Sequence, residues 1–164
     1  MGGIMGKSMN DFIKVITLPL LVLVAWQLVA FVVGLVFAGA VTAAAMGGAG
    51  LDAAMGGLAI LALVGLVGLA LNAFAGVWIG WRTVTVMKGS YGHAAVAASI
   101  AALVLFAVSM VLNIISSVIT SGVAGLLGAL IGVLIGGIIG FVITALIAVV
   151  LALIGVFIAG MMKK

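Results

Sequence analysis

Charged side chains are so sparse in this chain that the stretches between them define its organisation. Asp11 and Lys14 precede an uncharged run over residues 15–51, whose bulky part ends near Phe37 and gives way to Ala and Gly. Asp52 opens a second run that continues to Arg82, a third follows Lys88 and His93 to about Thr120, and a fourth, over 123–162, stops at Lys163 and Lys164. About 20 apolar residues span the hydrocarbon core of a bilayer. The pattern therefore predicts an all-α integral membrane protein, one membrane domain over 1–164, with spans at about 11–39, 53–81, 93–120 and one within 123–161.

The fourth tract is over-long. As a single helix over 123–160 it would measure about 57 Å at 1.5 Å per residue, nearly twice the roughly 30 Å core, so it is expected to protrude, bend or divide. Charge placement favours four crossings, because short loops rich in Lys and Arg stay on the cytoplasmic side. With four, Lys7 and Lys14, Arg82 and Lys88, and Lys163 and Lys164 all fall inside, and Asp52 falls outside. A fifth crossing, made by a hairpin at Gly136 and Gly137, would carry the last two lysines outside. Both termini are accordingly expected on the cytoplasmic or equivalent inner side. Trp78, Trp81 and Tyr91 flank the inner 82–88 connection, where amphipathic rings prefer the headgroup level. The segment 83–86 alternates β-branched residues but is short enough to be a link or a last helical turn.

Lys7 and Lys14 followed by a hydrophobic run ending at Ala38, Gly39 and Ala40 have the layout of a secretory signal, but the apolar core is too long for one. A shift of 79 positions lays the segment 76–80 (GVWIG) over 155–159 (GVFIA), and Gly57 over Gly136. In both copies a cationic segment follows. That match suggests two tandem helical hairpins with Gly/Ala-rich connectors at 43–57 and 122–136.

Composition sharpens the picture by exclusion. Hydrophobic residues make up 68% of the 164 and charged residues 5%, against about 25% charged in a soluble domain, so the apolar surface must face lipid or sibling chains. Val, Ile and Leu are too abundant for disorder, and the glycines lack a three-residue collagen period. There is no cysteine, which removes disulfides, thiolate ligands and thiol nucleophiles together. The net charge of +4 comes from six cations against two aspartates, and of the cations only Lys163 and Lys164 are adjacent. Without a clustered basic face, no nucleic-acid partner is expected.

Small residues form the most specific pattern. Gly128, Gly132, Gly136 and Gly140 recur every four positions, continued by Thr144, Ala148 and Ala152. Positions four apart make one ridge on a helix, and bare backbone there lets a second helix come close. Shorter versions run through Gly68, Asn72, Gly76 and Gly80 and through Ala30, Gly34 and Ala38. Two readings compete, homo-oligomerisation and packing within the chain, and self-association is the expectation carried forward.

Gln27, Asn72, Ser109 and Asn113 are the polar side chains expected at membrane depth, with Asn113 one turn after Ser109 on the same face. Such groups line a polar path or, more commonly, bind helices together. Pro19 lacks an N–H and is expected to kink the first helix or mark its early turns. Asp11 and Asp52 fall on opposite sides, so they cannot form an acid/base pair, and His93 has no second ligand nearby in sequence. No catalytic, metal or cofactor residue is assigned. The segment 2–8 (GGIMGKS) fails a phosphate-loop pattern for want of glycine at Met1, and fails the myristoylation pattern because Gly6 stands where Ser or Thr is required.

The chain thus reads as a non-enzymatic, self-associating membrane structural protein, such as a coat, envelope or scaffold subunit. The rivals are a small oligomeric pore or transport component and an accessory subunit held by other membrane proteins.

Overall fold

A computed structural model describes residues 6–45, 51–122 and 130–162, which are helical throughout apart from short connections, with no strand among them. The helices are α1 (Met9–Ala45), α2 (Leu51–Thr85), α3 (Tyr91–Ser121) and α4 (Ile138–Met161), the last preceded by a π turn at Val133–Gly137. All four are long and apolar enough to cross a membrane, the fourth over Leu130–Met161. They contain the expected spans at 11–39, 53–81 and 93–120. Of the long fourth tract, 123–129 lie outside the described residues, and from Leu130 the chain is one helix. Gly136 and Gly137 lie inside its π turn and make no hairpin. The segment 83–85 is the last turn of α2.

Local chemistry sets the helix starts. Ser8 and Asp11 cap α1 reciprocally: the Ser8 N–H donates to Asp11 Oδ2 at 3.0 Å, and the Asp11 N–H donates to Ser8 Oγ at 3.3 Å. Ser90 and His93 do the same work at α3, where the Ser90 N–H donates to His93 Nδ1 at 3.0 Å. Between α2 and α3, Lys88 takes a left-handed φ of 54° and the Gly89 N–H reaches back to the Thr83 carbonyl at 2.9 Å, which reverses the chain.

Side-chain pairs give the arrangement. Trp26 rests on Gly68 while Arg82 reaches Lys14, so α1 and α2 are antiparallel. Phe12 stacks on His93 and Gln27 reaches Leu105, so α1 and α3 run parallel. Gly76 faces Leu151 and Gly80 faces Ala152, so α2 and α4 run parallel too. Among the described residues α2 packs extensively and about equally against α1 and α4, and α1 and α4 scarcely meet.

Packing is concentrated at the end that carries Lys7, Lys14, Arg82 and Lys88. There Phe12, Val15, Ile16, Ile79, Met87, Ala97 and Ala101 form one buried cluster. Ala94, Ala98, Ala152 and Val156 form a second, and Leu23, Ala75 and Leu105 a third above them. The cause is residue size: alanine on α3 and glycine on α2 and α4 allow close helix approach. A Cβ added at Gly80 would fall on the Ala152 carbonyl, and one at Gly155 on the Val77 carbonyl, so α2 and α4 touch backbone to backbone. Gly155 lies level with 77–81, one turn along from Gly76, its counterpart under the 79-residue shift.

Pro19 sits inside α1 and is fully buried. An α-helical carbonyl is bonded by the N–H four residues on, so Pro19 leaves the Val15 carbonyl without its partner. Arg82 supplies the replacement, with Nε–H donating to Val15 O at 3.0 Å and the terminal nitrogen to Lys14 O at 2.7 Å.

Candidate functional site: a polar crevice among the four helices

Beyond the packed end the helices separate. Past Ala102, α3 turns to its wall Leu105, Phe106, Ser109, Met110, Asn113, Ser116 and Ser117, which are larger or polar, and a half-open crevice of about 670 Å³ forms. Its wall takes Gln27 from α1, Asn72 from α2, that face of α3, and Gly132, Gly137, Gly140, Phe141 and Thr144 from the fourth helix. A smaller space of about 280 Å³ between α1 and α3 shares Gln27, Ser109, Asn113 and Ser116 with it and adds Ala30 and Gly34. Phe106 and Phe141 meet across the α3–α4 side, ring centroids 5.1 Å apart.

All four polar side chains singled out from the sequence, Gln27, Asn72, Ser109 and Asn113, converge on this one crevice. Their donors are turned onto the backbone. Asn72 Nδ2 donates to Gly68 O, Asn113 Nδ2 to Ser109 O and Ser109 Oγ to Phe106 O, each at 2.8 Å. Gln27 Nε2 makes a long 3.5 Å bond across to Leu105 O. Gln27 Oε1 is buried with no hydrogen-bond partner, a condition that costs about 1–3 kcal/mol where it persists. Only the Gln27 bond joins two helices, so three of the four serve their own helix.

Ser116, Ser117 and Thr144 belong to the same wall and were not singled out. Extending the spacing from Ser109 and Asn113 by three and four residues reaches Ser116 and Ser117, so the face was readable as i, i+4, i+7 and i+8. Thr144 was visible only as one more small residue.

The glycine stripe divides. Gly128 lies outside the described residues. A π turn closes its hydrogen bonds five residues back and so takes up one residue more than an α turn. Gly132, Gly137 and Gly140 therefore line the crevice, and Gly136 is exposed on the outside of the helix. A Cβ at Gly132, Gly136 or Gly140 meets nothing within 4 Å. Further along, Ala148 and Ala152 pack against Gly76 and Gly80 of α2. Gly68, Gly76 and Gly80 are likewise occupied within the chain, by Trp26, Leu151 and Ala152.

Among the described residues no three His, Asp or Glu side chains gather where they could hold a metal ion. No family model matches the chain, and neither does any curated protein or solved structure.

Proposed function

We propose that this chain is a multi-pass membrane protein with four crossings and both termini on the cation-rich cytoplasmic side, and that copies of it associate into a membrane coat, envelope or scaffold. Support for the membrane reading comes from the outward faces. Leu69 is 70% exposed, Ile135 65% and Leu146 63%, and surfaces of this kind are stable against lipid rather than water. The placement of Lys7, Lys14, Arg82 and Lys88 at one end of the bundle supports the orientation.

One observation carries the self-association. Gly136 offers bare backbone on the outside of the fourth helix with nothing of its own chain within 4 Å, and Gly65 on α2 is equally open, whereas Gly76, Gly80 and Gly155 are already filled. Helices in lipid gain no hydrophobic energy from meeting, so they associate where bare backbone permits close dispersion contact. Because the chain has no cysteine, Gly136→Cys gives a single reporter. Oxidation in native membranes should cross-link Gly136→Cys into dimers and leave Leu69→Cys monomeric. Equal yields at the two positions would remove the support for this face.

A pore or transport role is the second reading, favoured by the convergence of Gln27, Asn72, Ser109 and Asn113 on one crevice. It places the polar path inside one chain rather than between copies. Liposomes carrying the protein should then pass a small solute, and Asn113→Leu should abolish the flux.

A further inference from the structure

The wall of the crevice is polar, uncharged and mixed in its hydrogen bonding. Asn72 and Asn113 each give one amide hydrogen to a carbonyl of their own helix and keep a second amide hydrogen and an oxygen. Both side chains are exposed, and Ser116, Ser117 and Thr144 add hydroxyls to the same wall. Hydrocarbon can satisfy none of these groups. Water both donates and accepts, and a space of about 670 Å³ is far larger than the roughly 30 Å³ that one water occupies. Among the described residues no ionisable side chain lines the wall, so nothing there draws an ion in.

The two ends of the crevice differ. On α3 the polar positions run from Ser109 through Asn113 to Ser116 and Ser117, the last one turn from the helix end at Ser121. That end lies opposite Lys14, Arg82 and Lys88. In the other direction Leu23, Ala75 and Leu105 close together and are all buried, and behind them the cluster around Phe12, Val15 and Ile79 is buried and wholly apolar.

We infer that the crevice is a water-filled vestibule, open on the side opposite the cations and shut toward them by Leu23, Ala75 and Leu105. The inference rests on the four-crossing membrane reading proposed above. It also deepens the pore reading: this arrangement is the shut one, and the contact of Leu23, Ala75 and Leu105 is the seal that must part for a solute to cross.

Because the chain has no cysteine, the test places single cysteines in the full protein. Sealed membranes expose one face at a time to an uncharged, sugar-linked methanethiosulfonate that does not cross lipid. From the face opposite the cations, Ser117→Cys, Asn113→Cys and Ser109→Cys should react about tenfold faster or more than the outward-facing Leu146→Cys, because the thiolate is the reactive form and apolar surroundings suppress it. From the cationic face Lys88→Cys should react and the three crevice positions should not. Should the cysteine variants misfold, the unaltered chain in lipid nanodiscs decides the matter. Hydroxyl radicals generated in the water should oxidise Phe141 on the crevice wall and spare Phe74, which is 63% exposed on the outer surface. Asn113→Cys as slow as Leu146→Cys, or Phe141 spared along with Phe74, overturns the vestibule. Reaction of Asn113→Cys from both faces overturns the seal. Fast reaction of Leu146→Cys puts the outer surface in water, so failure of the membrane reading is told apart from failure of the vestibule.

Discussion

The Nε–H of Arg82 donates to the carbonyl of Val15 at 3.0 Å, and Val15 is the residue whose helical partner would be Pro19. A proline in the first helix and an arginine at the end of the second are thus two halves of one device. The proline frees a carbonyl, and the arginine binds it and ties α1 to α2 at the cationic end. A buried carbonyl left without a partner costs about 1–3 kcal/mol, and the Arg82 bond offsets that cost where α1 continues through Pro19.

This pairing predicts a rescue. Arg82→Met should lower stability by about 1–3 kcal/mol, the cost of a stranded buried acceptor, read as a fall in melting temperature in mild detergent. Pro19→Ala in the Arg82→Met background returns an N–H to the Val15 carbonyl and should recover part of the loss. If the double variant is no more stable than Arg82→Met alone, the carbonyl was not what Arg82 was satisfying.

Contact between α2 and α4 is closest at Gly80 and Gly155, the two of its three filled glycines where an added Cβ would fall on backbone. Gly80→Val and Gly155→Val should each destabilise the bundle by about 1–3 kcal/mol, the usual penalty for overfilling a packed site. Gly136→Val, on open backbone, should leave the melting temperature of a single copy nearly unchanged. A comparable fall at all three positions would contradict the division drawn between filled and open glycines.

Orientation is checked by accessibility. In sealed inside-out vesicles, Lys7→Cys and Lys88→Cys should react with a membrane-impermeant maleimide, and Asp52→Cys should be protected until detergent is added. Opposite behaviour of Lys7→Cys and Lys88→Cys would break the four-crossing arrangement, because α1 and α2 together return the chain to its starting side.

Much of this organisation was legible in the sequence, for physical reasons that can be named. Asp11, Asp52 and His93 lie at helix starts because charged and polar groups interrupt the long apolar runs, and the four polar side chains were identifiable because so few occur within those runs. Their convergence was not legible, since it depends on the rotation of four helices about their axes. The stripe at Gly132, Gly136 and Gly140 misled for a similar reason: a spacing of four makes a ridge only on an α-helix, and the π turn at Val133–Gly137 moves Gly137 into the line. The free carbonyl of Val15 was recoverable by counting four residues back from Pro19, but that Arg82 binds it depends on the packing of α2 on α1. Gly155 went unnoticed as a contact because its neighbours Leu153, Ile154, Val156 and Phe157 are large, and a lone glycine has no periodicity to announce it.

The mass of the particle in native-lipid nanodiscs, with bound lipid subtracted, tests the central claim most directly when measured for the unaltered chain, Gly136→Leu and Gly65→Leu. Association through the outer face of the fourth helix predicts a homo-oligomer for the unaltered chain and for Gly65→Leu, and a single copy for Gly136→Leu. A single copy of the unaltered chain, or an oligomer that Gly136→Leu leaves intact, would contradict it.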